Sequence, residues 1–218
     1  MIHTIYAFLG KRFRRRRMQL FVTSFSLTAR TQIIDLGGSP ETWRGLPVKP
    51  QVTLLNLDPA CLRANPQSVV ADALACPFPD ENFDFAFSNS LIEHLGTAER
   101  QRQFAEEIRR LTRNGYFVQT PNKWFPIEPH YLAPFIQFVP ARLKPAITRW
   151  LTPWGLITRP SPQRCVQVSR EIRLLDAREL GRLFPEAEIV RERFLGFTKS
   201  LIAIRRPQAK LPVTERPS

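Results

Sequence analysis

Residues able to do chemistry stand at the ends of short apolar runs. Ile33-Ile34 leads into Asp35-Leu36-Gly37-Gly38-Ser39-Pro40, an acid and two glycines where backbone can come close to a ligand because no Cβ intervenes. After Val52-Thr53-Leu54-Leu55 come Asn56, Leu57 and Asp58. An amide at that place accepts one hydroxyl hydrogen bond and donates another, without the stronger acceptance of a carboxylate. Asp72-Ala73, after Val69-Val70, sets a carboxylate beside a backbone N–H, a pairing that suits an amino-substituted heterocycle. Ser88-Asn89-Ser90 and Glu93-His94 follow a fourth run. His94 is the first candidate for a general base, because imidazole changes charge near neutral pH. Asn122, Glu128, His130 and Tyr131 lie in a stretch dense in proline and aromatics. They either orient a nucleophile or bond to the backbone of an aromatic lid whose path proline fixes.

These residues reach one place only if the runs are parallel strands. Short apolar segments near 31–36, 52–57, 68–71, 83–88 and 115–120 alternate with polar helical segments, the rhythm of parallel strands joined by crossover helices. Thr97 to Thr112 reads as a helix with Thr97 as N-cap, Glu99 in its first turn and Phe104, Ile108 and Leu111 along one stripe. Residues 121–162 are too apolar for disorder and read as an ordered insertion. An extended segment at 164–169, a helix at 176–183 and two strands at 187–194 and 198–205 follow. The short link Leu195-Gly196-Phe197 makes the last two antiparallel neighbours. Asp84 reads as a structural residue at a strand entry, and Trp43, Trp124, Trp150 and Trp154 as packing residues.

The chain resembles the class I S-adenosylmethionine-dependent methyltransferases, most of all the small bacterial enzymes of the methyltransferase-11 type. The resemblance covers roughly residues 30–205. It rests on Ile33 to Gly38, Val52 to Asp58, Asp72-Ala73, Pro77-Phe78-Pro79-Asp80-Glu81-Asn82-Phe83-Asp84 and Ser90-Leu91-Ile92-Glu93-His94-Leu95. It implies a Rossmann-like α/β fold: a central seven-stranded, mostly parallel sheet with an antiparallel C-terminal strand pair and helices on both faces. It further implies S-adenosylmethionine as cofactor, held by Asp35, Gly37, Gly38, Ser39, Asn56, Leu57, Asp72, Ala73, Ser88 and Asn89, with no metal. The ribose-binding acid of the family falls on Asn56, which departs from the pattern, with Asp58 two residues later. Methyl transfer is an in-line displacement to an O, N or C nucleophile, so it needs alignment more than an acid–base array. A hydroxyl or ammonium nucleophile would call on His94, His130 or Glu128 as base.

Bulk properties bound the remainder. The 218 residues and 43% hydrophobic content fit one domain, divided as a basic amphipathic helical extension (1–30), a methyltransferase domain (31–206) and a tail (207–218). A formal charge of +13 favours anionic partners. Lys11 to Arg17 suits an anionic membrane or polyanion, nucleic acid included, while the aromatic insertion suits a small or lipid-like acceptor. The three cysteines, Cys61, Cys76 and Cys165, are widely spaced, which argues against a disulfide framework and fits a reducing cytosol. No apolar stretch reaches the about 18 residues a bilayer span needs, so the expected location is cytoplasmic, peripheral to the inner membrane face. A nucleotide-dependent oxidoreductase would show a third glycine where Ser39-Pro40 stands. A degenerate methyltransferase that binds anionic partners is the alternative reading.

Overall fold

The computed structural model describes residues 2–62, 67–128, 131, 133–140 and 142–207, with side chains from residue 12 onward. Strands β1 (Gln32–Leu36), β2 (Gln51–Asn56), β3 (Ser68–Val70), β4 (Phe83–Asn89) and β5 (Thr112–Pro121) run parallel. With β8 (Glu188–Phe194) and β9 (Phe197–Arg205) they form a seven-stranded sheet of order β3-β2-β1-β4-β5-β9-β8, in which β9 runs against both its neighbours. Between β5 and β8 a two-stranded ribbon pairs β6 (Ile127–Glu128) with β7 (Ala133–Pro134).

The two sheet faces are closed in different ways. Period-two alternation sends Ile34, Ala86, Tyr116, Val118, Leu201 and Ala203 to one face. There they meet α2 (Ala98–Leu111) through Phe104, Ala105, Ile108 and Leu111, and α6 (Ala177–Leu183) through Leu180. Thr97 caps α2, its hydroxyl accepting from the Arg100 N–H at 3.2 Å, as the sequence predicts. Ile33, Phe85, Phe87, Phe117, Ile202 and Ile204 point to the opposite face. Among the described residues the β1–β2 and β2–β3 crossovers hold single 3-10 turns, Pro40–Trp43 and Pro59–Leu62, in place of the expected helices. That face is covered instead by α1 (Ile2–Phe25), which buries Met18, Phe21 and Phe25 on it. Phe21 sits in a ring cluster with Phe25, Trp43, Phe87 and Phe117, centroids 4.9 to 5.9 Å apart.

The segment after β5 carries α3 (Lys144–Leu151), α4 (Pro153–Thr158) and α5 (Pro162–Glu171). They pack round a small core of their own, in which Tyr131, Ala133 and Ile136 meet Ile147, Trp154, Val168 and Ile172. The extended segment expected at 164–169 is therefore corrected to helix. Val166 to Ser169 alternates apolar and polar residues like a strand, but Ser161 caps the segment with Pro162 at its first turn. Cys165, Val168 and Ile172 then fall at helical spacing, Cys165 fully buried and the other two against the insertion core.

Candidate active site

The register sets the strand ends side by side: Leu36 opposite Leu55, Asn56 opposite Val70, Asn89 opposite Gln119 and Pro121 opposite Ser200. Asp35 is wholly buried just before the β1 end. Its Oδ2 accepts from the Trp43 indole N–H at 2.8 Å, whereas Oδ1 has no hydrogen-bond partner. Burial pushes its carboxyl up to about 7, against the lowering effect of the Trp43 hydrogen bond. Gly38 lies directly over this carboxylate: a Cβ there would stand 1.8 Å from Asp35 Oδ2. Gly37 takes a φ of +78°, donates its N–H to the Leu55 carbonyl at 2.8 Å and leaves room for Leu91. Trp43 thus holds the acid as well as packing, and its place eight residues after Asp35 on the same loop is the signal that could have identified it.

Asn56 explains its own departure from the family acid. Its amide donates to the Gly38 carbonyl at 3.3 Å and accepts from the Asp58 N–H at 3.1 Å, bracing the β1 and β2 loops together. A carboxylate there would face the carbonyl with no proton to give. Asp58 accepts from the Ala60 N–H and the Cys61 thiol, capping its own turn. Leu57 is exposed and Ser39 is half-buried with no side-chain cap bond. Asp72 accepts from the Leu74 N–H at 3.0 Å and lies 3.8 Å from Arg100, and Ala73 is buried beside it.

On β4 the two candidate side chains are engaged within the fold. Ser88 is fully buried and donates to the Leu36 carbonyl at 3.1 Å. Asn89 accepts from Arg17 at 2.9 Å, on the α1 face. Arg17 belongs to the basic run, yet it is buried at 8% exposure. It donates to Glu192 at 3.0 and 2.7 Å, to Gln119 at 2.8 Å and to Ser200 at 3.2 Å. Ser90, at a φ of +63°, donates its hydroxyl to Gln119 at 3.0 Å. Composition counts Arg17 with its exposed neighbours; its period with Phe13 and Phe21 is the signal that it faces inward.

His94 and Glu128, the candidate bases among the described residues, line different cavities. His94 is exposed on the turn after β4 and lines a cleft of about 710 Å³ between that turn, the start of α2 and α5. Glu93, its neighbour, is the buried member of the pair and accepts from the Thr120 hydroxyl at 3.0 Å. Glu128 is buried in the insertion, accepts from the Tyr131 N–H at 2.9 Å and lines a separate cavity of about 210 Å³ with Lys123 and Lys144. Burial pushes Lys144 down, opposed by Glu128. Asn122 donates to the Thr198 carbonyl at 2.8 Å and so holds the insertion to β9. His130 lies outside the described residues. Among the described residues no group of His, Cys, Asp and Glu could hold a metal ion.

Comparison with known proteins follows the same lines. A family model described as a methyltransferase domain matches residues 41–118. A tRNA (carboxymethyluridine(34)-5-O)-methyltransferase of Arabidopsis thaliana is 25% identical over 157 residues, covering 62% of this chain and 38% of the relative. Among solved structures, the Burkholderia thailandensis 1,6-didemethyltoxoflavin-N1-methyltransferase, with S-adenosylhomocysteine bound, is similar at a TM-score of 0.55. It is 13% identical over 90% of this chain and 78% of its own. A Rhodobacter sphaeroides structure described as a Zn-dependent alcohol dehydrogenase reaches 0.60 at 14% identity, over 87% and 88% of the two chains. At these identities the structures share a fold.

Proposed function

We propose that the chain is a class I S-adenosylmethionine-dependent methyltransferase that methylates an O, N or C nucleophile of a small or lipid-like acceptor, a reading supported by the methyltransferase-domain match over residues 41–118 and by the fold. The observation that carries this reading is the buried Asp35 carboxyl, with one oxygen unpartnered beneath Gly38 at the carboxyl end of the sheet. A buried polar atom without a partner is costly and asks for a ligand donor. The ammonium of the cofactor's aminoacyl end is such a donor. Bound there, S-adenosylmethionine supplies an electrophilic methyl group on a positively charged sulfur.

The chain's own residues then divide the work. Asp35 holds the aminoacyl end, with Ser39 beside it. Asn56 fixes the two loops and takes a ribose hydroxyl without a carboxylate's strength, with Leu57 as an apolar flank. Asp72 and Ala73 receive the adenine edge. Ser88 and Asn89 act by fixing the strand end through Leu36 and Arg17. The cleft beside His94 receives the acceptor: Arg100, on its wall, lies 3.8 Å from Asp72, which joins it to the cofactor side. His94 takes the proton when the nucleophile is a hydroxyl or an ammonium, with His130 as the second candidate, and a carboxylate acceptor needs neither. Glu128 positions the insertion through the Tyr131 N–H.

Calorimetry with S-adenosylmethionine and S-adenosylhomocysteine tests the premise, with binding expected for the native chain and lost in Gly38→Ala. Absence of binding at millimolar ligand would overturn it in favour of a degenerate methyltransferase that holds nucleic acid or membrane through its basic surface. Methylation of fractionated extracts, read by mass shift, identifies the acceptor.

A further inference from the structure

The insertion satisfies its own core and still turns large apolar side chains outward. Ile147 and Trp154 point into the small core beneath α3 and α4. On the same two helices Trp150, Leu151, Leu156 and Ile157 are 64%, 73%, 59% and 60% exposed. Phe135 and Leu143 beside them are also exposed. A concentration of this kind on so short a segment marks an interaction surface. Its charge identifies the partner class. From residue 129 to residue 170 the chain has no Asp or Glu but carries Arg142, Lys144, Arg149, Arg159, Arg164 and Arg170. Arg149 stacks on the Trp150 ring at 5.1 Å. Aliphatic side chains among cations, with a tryptophan at their margin, partition into the boundary between anionic headgroups and acyl chains. A nucleic-acid surface would instead need flat rings for base stacking, and four of these six side chains are Leu or Ile or offer none.

The sheet topology adds a second contribution at the same end. The insertion leaves β5 at Pro121, opposite Ser200, and the β8–β9 turn projects past that edge with Leu195 and Phe197 exposed. Arg17 is tied to Asn89, Gln119 and Ser200 at this edge, and Phe13, one turn earlier, meets Phe194 edge to face. Arg12 and Arg14 to Arg16 are exposed on that part of α1.

We propose that this end of the molecule docks on an anionic phospholipid bilayer, with α3 and α4 seated in the headgroup boundary and the cationic side chains on the lipid charge. Docking is peripheral, since among the described residues no helix is long and apolar enough to cross a membrane. The proposal goes beyond methyl transfer, although α5, which packs against α3, is also a wall of the cleft beside His94.

Flotation of the full chain with vesicles of phosphatidylcholine, alone or mixed with phosphatidylglycerol, tests it. The chain is expected to float with the mixed vesicles only and to be released as salt rises. Tryptophan emission should shift to the blue on binding, and Trp150→Phe should remove most of that shift. Leu151→Ser with Ile157→Ser should weaken vesicle binding about tenfold or more, with melting temperature and S-adenosylmethionine affinity unchanged because both side chains already face solvent. The proposal is overturned by absence of binding to mixed vesicles, by equal binding of the double variant, or by self-association or single-stranded RNA binding that needs Leu151 and Ile157 while vesicles are ignored. Cofactor affinity measured on the same samples keeps failure here distinct from failure of the methyltransferase reading.

Discussion

Asp35 is the residue on which the proposed cofactor site turns, and its burial makes a prediction with a definite sign. Its folded-state carboxyl stands at about 7, above the ordinary 3.8, so the fold prefers it protonated. The stability this contributes is complete below about pH 4 and is lost as pH rises through about 7. Thermal melts of Asp35→Asn should therefore match the native chain in acid and exceed it at pH 8. The cationic end of the cofactor prefers the ionised form, so native affinity should strengthen as pH rises through about 7 while the variant stays weak and flat. Asn56→Asp makes a sharper test. If position 56 merely lacked a family acid, the carboxylate would improve affinity. The hydrogen bond to Gly38 predicts the reverse, a loss of cofactor affinity and of about 1 kcal/mol in stability. Sequence located Asp35, Gly37 and Gly38 because an acid and bare backbone are legible as types. What Asn56 and Trp43 do was not, since both act through partners that only the folded loop supplies.

The elements were legible where one period dominated. All five parallel strands, α2 and the closing antiparallel pair follow from apolar alternation or a helical stripe together with a cap. Replacing Thr97 by alanine should cost α2 about 1 kcal/mol, read by chemical denaturation. The failures share a cause: partners far away in sequence. The α5 segment alternates like a strand until the insertion core claims Cys165, Val168 and Ile172 at helical spacing. Arg17 sits among exposed arginines until strands from the middle and the C-terminal part of the chain surround it. Arg17→Ala leaves Glu192 buried without its cation and should cost about 3–5 kcal/mol. Arg17→Met combined with Glu192→Gln should recover much of that loss, because neither replacement carries a charge.

For the molecule as a whole, α1 takes the place of helices that the short crossovers do not form. Among the described residues no other α-helix covers Phe85, Phe87 and Phe117 on that face. Deleting residues 2–25 should expose it, and the shortened chain is expected to bind a hydrophobic dye and aggregate while the native chain does neither. The same arrangement has a consequence for biosynthesis. Arg17 and Glu192 are 175 residues apart, so α1 is translated long before the strand that supplies its ion-pair partner. Until β4 and β5 leave the ribosome, Phe21 and Phe25 travel on a cationic segment without the rings of Phe85, Phe87 and Phe117 to pack on, next to ribosomal RNA of opposite charge. Nascent chains should therefore depend on chaperones until β4 and β5 emerge, and Arg17 stays without its carboxylate partner until β8 follows.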